Sequence, residues 1–193
     1  MERDILWCGA DDSNHAGSVK GEFIVVTFSI LKEDSIVKEF PNHRERYETN
    51  LWLQNLNRDY RFTLLTNEEY RHKGDNVAKI SPFMVVYYLR EKKERYKQIN
   101  LYLDGWLKAD TKRLIREIIL KEGIEKVVVD NFTKKGVKKF QKRHNCPELV
   151  YRADNISHIL FEENWKLEEL IKNKNFILFK DIKEIAKEKG YYL

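Results

Sequence analysis

Short apolar runs that end on aspartate constrain this chain more than any other feature. The first is Ile5-Leu6-Trp7-Cys8-Gly9-Ala10-Asp11-Asp12-Ser13, echoed by Leu101-Tyr102-Leu103-Asp104-Gly105 and by Tyr151-Arg152-Ala153-Asp154. Parallel sheets present ligand-binding groups at strand ends, and carboxylates gathered there repel one another unless something positive joins them. A divalent metal suits such a cluster. Magnesium and manganese prefer carboxylate and water ligands, and a pair of these ions can activate a water and stabilise a leaving oxygen in phosphodiester cleavage. The pattern points to a metal-dependent nuclease.

Along the chain, residues 5–11 and 22–31 read as strands, the second rich in β-branched and aromatic types. A polar turn at Lys32-Glu33-Asp34 leads to a third strand over 35–40, stopped by Pro41-Asn42, so the opening is a three-stranded antiparallel meander. Helical spacing of Tyr47, Leu51, Trp52 and Leu56 predicts a helix over 44–56, and residues 61–66 form a short strand or an extended connection. A longer helix is expected over 82–96, with Pro82 in its first turn. Residues 99–104 and 126–130 read as buried strands. Between them a helix over 111–122 turns Leu114, Ile115, Ile118 and Ile119 inward. A basic helix over 133–144, a short strand over 149–151, one or two helices over 155–172, an apolar run at 176–179 and a small helix over 181–189 complete the reading. A meander followed by strands alternating with helices predicts an α/β sheet of mixed direction.

At 193 residues, with 42% hydrophobic and 35% charged residues and only 3 Pro, the chain suits a single globular domain spanning 1–193 rather than a disordered segment. The formal charge of +5 permits an anionic partner without demonstrating one. Cys8 and Cys146 lack Cys or His companions at zinc spacing, and no apolar stretch is long enough to span a bilayer. The expectation is a soluble cytoplasmic protein with buried thiols.

The layout resembles the ribonuclease H-like superfamily, in which a meander carries an Asp on its first, central strand and a parallel strand ends in a second Asp. A further Asp follows where the late chain enters a helix. Asp11-Asp12-Ser13-Asn14-His15-Ala16-Gly17 resembles the Asp-Glu-Ala-Gly-Arg-Gly opening of type 2 ribonuclease H, and also the Asp-Glu-Ser-Gly opening of a related uncharacterised family. Leu103-Asp104-Gly105 is similar to the strand-end Asp-Gly of the type 2 enzymes, and Ala153-Asp154 followed by an apolar helix to the closing segment of both groups. The resemblance implies a ribonuclease H-like mixed sheet flanked by helices, a three-stranded antiparallel meander followed by parallel strands. It implies Asp11 as the central metal bridge, Asp104 as the second shared ligand and Asp154 as the third, with Asp12 in place of the family's Glu; the cofactor would be Mg2+ or Mn2+. Where the type 2 enzymes carry Gly-Arg-Gly to grip the nucleic-acid backbone, this chain has Asn14-His15-Ala16.

Alternation along a strand sends Asp11 and Asp12 to opposite faces, so one of them faces Asp104 unless the strand has just ended. Asp130, closing Val127-Val128-Val129, competes for the third position, and Glu48 is a rival fourth ligand. His15 has the titration range of a proton shuttle, and His158 stands one turn after Asp154. Lys134, Lys135, Lys138, Lys139, Lys142 and Arg143 occupy a stretch without acids from 131 to 146, suited either to phosphate contact or to a solvated face. The four tryptophans read as core, with Trp106, just after Asp104-Gly105, nearest the proposed site. No glycine-rich phosphate loop, nucleophile elbow or dinucleotide fingerprint is present. The expected substrate is RNA, an RNA–DNA hybrid or structured DNA. The alternative is a catalytically inactive nucleic-acid-binding or scaffold protein of the same fold.

Overall fold

The central strand β1 (Glu2–Asp12) has an antiparallel neighbour, β2 (Phe23–Lys32), on one side and a parallel neighbour, β4 (Arg95–Asp104), on the other. Antiparallel β3 (Tyr60–Thr66) lies beyond β2 and parallel β5 (Lys126–Phe132) beyond β4, giving the order β3-β2-β1-β4-β5. The structure, a computed structural model, describes residues 2–13, 23–32, 59–66, 69, 76–93, 95–105, 107–132, 147–162 and 167–193. The expected strand at 35–40 and the helices at 44–56 and 133–144 lie outside these residues. So do Cys146, His15, Glu48, Trp52, Trp106, Trp165 and the six basic residues from Lys134 to Arg143. Among described residues, the third antiparallel strand is Tyr60–Thr66.

Side-chain alternation divides the sheet into two working faces. Leu6, Cys8 and Ala10 of β1, Ile99, Leu101 and Leu103 of β4, and Val127 and Val129 of β5 fall on one face. There they pack with helices α1 (Asn76–Lys92), α2 (Ala109–Leu120) and α5 (Phe179–Glu188) in the main core. Burial holds the Cys8 thiol pKa well above its ordinary value, which leaves it a neutral packing group. On the other face, Val25, Tyr60, Phe62 and Leu64 meet Ile156, Ile159 and Leu160 of α3 (Pro147–Glu162) and Leu170 of α4 (Leu167–Ile171).

Helix α1 corrects the expected span of 82–96. It starts at Asn76, places Pro82 in its interior and ends at Lys92, while Tyr96 is a buried residue of β4. A proline there deprives the Ala78 carbonyl of its helical partner, a defect costing about 3 kcal/mol. Burial of Ile80, Phe83, Met84, Val85, Val86 and Leu89 outweighs it, since each large apolar side chain contributes roughly 1.5–3 kcal/mol. In α2, Ile115, Ile118 and Ile119 turn inward as expected, but Leu114 sits at the edge of the stripe and is 40% exposed.

The apolar run at 176–179 covers the outer edge of β3. Phe62 N–H donates to the Asn175 carbonyl at 3.0 Å and Ile177 N–H to the Phe62 carbonyl at 2.8 Å, so main-chain groups of an edge strand find partners. Arg61 anchors the same corner from a buried position, its guanidinium donating to Glu91, Asp59, Asn175 and the Tyr60 carbonyl. No helix among the described residues is long and apolar enough to cross a membrane.

Candidate functional site

Strand parity decides which acid of the Asp11-Asp12 pair faces Asp104. Ala10 pairs with Leu103, so the next positions along these parallel strands, Asp11 and Asp104, share a face. That face carries Gly9, Tyr102 and, across β2, Thr27, which pairs with Asp11. It is the face that α3 covers. Asp12 belongs to the opposite side, yet it is buried at the strand end, 9% exposed against 6% for Asp11. Gly105, with φ of 87°, turns the chain immediately after Asp104, a conformation glycine adopts without steric cost. Asp104 is left half-buried at the rim of the sheet.

Asp154 arrives by a different route from the one the sequence suggested. The expected strand at 149–151 is the first turn of α3, and Asp154 stands inside that helix rather than at a strand end. Leu149, Val150 and Tyr151 suit a strand by composition, but Leu149, Ala153, Ile156 and Leu160 form a fully buried stripe at helical spacing. Pro147 opens the helix, where its missing N–H costs nothing. Half-buried Asp154 flanks this stripe, while His158, one turn on, is exposed.

Gly9 explains how closely α3 approaches. A Cβ at this position would lie 2.3 Å from the Leu149 carbonyl carbon and 2.4 Å from its oxygen, so helix backbone rests on strand backbone. Ser29, opposite Gly9 on β2, is 2.6 Å from the Leu149 carbonyl, to which its Oγ donates, and 3.2 Å from the Gly9 carbonyl. Neither residue was singled out from the sequence. A glycine within a strand marks close backbone approach, and that signal was present at Gly9.

The charges of the other acids reach Asp11. Burial raises the Asp11 carboxyl pKa well above its ordinary value, and the charges of Asp104, Asp154 and Asp12, in that order, raise it further. The Asp12 backbone N–H, donating to Asp11 Oδ1 at 2.8 Å, lowers it in part. Three of the four predicted acids therefore act on the fourth, buried Asp11. Asp130, the rival for the third position, is ion-paired with Lys112 at 2.8 Å.

Hard carboxylate oxygens fit magnesium or manganese in kind. Three buried polar groups adjoining the acids in sequence or register, Ser13 Oγ, Thr27 Oγ1 and Asn155 Nδ2, have no hydrogen-bond partner among the described residues. Such groups are uncommon inside a fold and suit a hydrated, ligand-holding site. Spacing fits less tightly. Among the described residues, no three Asp, Glu, His or Cys side chains stand close enough to hold one ion.

No protein-family profile matches the chain, and no curated protein sequence matches it. Among solved structures it is similar to a chain in the PCNA:RNase HII complex from Archaeoglobus fulgidus. The TM-score is 0.50 at 14% identity, over 95% of this chain and 87% of that one. It is also similar to the ribonuclease H2 from Pyrococcus horikoshii OT3, with a TM-score of 0.47 and 17% identity, over 95% of this chain and 86% of that one. With antiparallel strands first, parallel strands after, and the first of these likenesses running over most of its length, the chain has the ribonuclease H-like fold and resembles type 2 ribonuclease H.

Proposed function

We propose that this chain is a divalent-metal-dependent nuclease, a single domain over 1–193 that hydrolyses phosphodiester bonds in RNA, an RNA–DNA hybrid or structured DNA. The observation that carries the reading is the Asp11 carboxyl, buried at the centre of the sheet under the charges of Asp104, Asp154 and Asp12. Perturbed groups of this kind concentrate at functional sites, because a fold gains no stability from crowding like charges.

In this reading Asp11, Asp104 and Asp154 hold the metal, Asp11 as the shared ligand, with Asp12 supporting them. Bound magnesium or manganese, as a pair, would supply an activated water and stabilise the leaving oxygen. The chain's own residues prepare the place. Asp12 N–H fixes one oxygen of Asp11, the Gly105 turn leaves Asp104 at the rim, and α3 covers the sheet face on which both acids stand. Lys134, Lys135, Lys138, Lys139, Lys142 and Arg143 supply phosphate contacts in this proposal, consistent with an acid-free stretch in a chain of net charge +5.

The test is cleavage of labelled RNA, RNA–DNA hybrid and branched DNA with magnesium or manganese, comparing the natural chain with Asp104→Asn. Metal-dependent cleavage lost in the variant supports the reading; equal cleavage by both removes Asp104 from the mechanism. That no three acids among the described residues stand close enough to hold one ion favours one alternative, a nucleic-acid-binding protein of the same fold without catalysis. Substrate binding with no cleavage and no effect of metal would select it.

A further inference from the structure

Helix α3 holds its place over β1 by a contact between main chains. At Gly9 and Leu149 the absence of a side chain lets the backbones meet, and beside them the Ser29 hydroxyl of β2 donates to the Leu149 carbonyl at 2.6 Å, with the Gly9 carbonyl 3.2 Å away. Ser29 is 4% exposed, so its hydroxyl has no access to bulk water. A carbonyl has two lone pairs, and Leu149 can accept from Ser29 while still serving its own helix.

Distances along the two elements connect this contact to the acids. Asp11 lies two residues beyond Gly9 on β1, and Asp154 lies five residues beyond Leu149 in α3. The charge of Asp154 reaches Asp11. A contact fixed at Gly9 and Leu149 therefore sets where Asp154 stands relative to Asp11. Apolar packing along the stripe of Leu149, Ala153, Ile156 and Leu160 tolerates small slides of the helix, whereas the short hydrogen bond from the Ser29 hydroxyl to the Leu149 carbonyl does not.

We propose that Ser29 is a positioning residue for the metal site: its hydroxyl locks α3 to β2, next to β1, and so holds Asp154 where it and Asp11 share an ion. This rests on the metal-site reading above. Magnesium and manganese bind carboxylate oxygens at short range with defined geometry, so a helix displaced by a fraction of an ångström loses affinity at the site before it loses its fold. Ser29 touches neither substrate nor metal in this account. It acts through the helix.

The experiment is calorimetric titration of the full chain with MnCl2, beside thermal melts without metal, for the natural chain, Ser29→Ala and Ser81→Ala. Ser81 is the control, a fully buried hydroxyl without a hydrogen-bond partner among the described residues, in α1, which packs on the other face of the sheet. Each variant deletes one oxygen and adds nothing. The expected result is manganese affinity about tenfold weaker in Ser29→Ala, in the range known for groups that orient metal ligands, and unchanged in Ser81→Ala. Manganese binding by the natural chain with affinity kept within twofold in Ser29→Ala would overturn the proposal while leaving the metal site standing. Equal weakening in both variants would mean general loosening of the fold, and would overturn it too. No manganese binding by the natural chain would refute the metal-site reading itself, and the positioning role with it.

Discussion

Replacing Gly9 by alanine forces the strand and α3 apart, and the size of the effect follows from the contact. The new Cβ would start 2.3 Å from the Leu149 carbonyl carbon, where carbon atoms at ease stand about 3.5–4.0 Å apart. Both sides of this contact are backbone, so no rotamer change relieves it. The helix retreats by about 1.2 Å, and a radial gap approaching 1 Å already forfeits up to half of the dispersion energy between facing atoms. Leu149, Ile156 and Leu160 are each worth roughly 1.5–3 kcal/mol when fully buried, and the Ser29 hydrogen bond adds about 1 kcal/mol. Losing part of the first and all of the second costs about 3–5 kcal/mol, a large share of the ~5–15 kcal/mol that holds a domain together. At ~2–4 °C per kcal/mol for a chain of this size, the melting temperature should fall by roughly 6–20 °C. Thermal denaturation followed by circular dichroism measures it directly. A fall of less than about 3 °C would mean that α3 does not rest on the strand backbone, and the placement of Asp154 would lose its foundation.

Asp11→Asn should raise stability in metal-free buffer, because it removes the group on which burial and three like charges converge, and should abolish stabilisation by added magnesium; paired melts read both. Arg61→Met should cost about 2 kcal/mol in urea unfolding. Breaking a buried ion pair usually costs about 3–5 kcal/mol, but the carboxylates of Asp59 and Glu91 left behind still reach water. Burial alone would raise the Glu122 pKa, but hydrogen bonds from Arg90 and Lys189 outweigh it and hold that carboxyl below its ordinary value. Its contribution is present above the unfolded carboxylate range of about 4.3 and is lost as pH falls through the depressed folded value. Glu122→Gln should therefore flatten the acid limb of a plot of stability against pH and leave the neutral region less stable.

Strands β1, β2, β4 and β5 were legible because β-branched, aromatic and alternating residues suit a half-buried pleated surface, and their order pointed to a mixed sheet. Helix α1 was misplaced because Pro82 reads as a helix start, and local rules carry no knowledge of the core that buries the turns before it. For the same reason Leu149-Val150-Tyr151 read as a strand: three residues carry propensity, whereas the deciding stripe runs on to Leu160. The four acids were legible as residue types at the ends of runs. The route of Asp154 was not, since it stands on a helix that rests against Gly9 and Ser29, far from it in sequence.

Anomalous diffraction from crystals grown with manganese tests the central claim most directly, because it locates the ion without assuming an activity. The account predicts manganese density between the ends of β1 and β4, ligated by Asp11 and Asp104 with Asp154 joining from α3. Manganese found only elsewhere, or none at this site at saturating concentration, would contradict it.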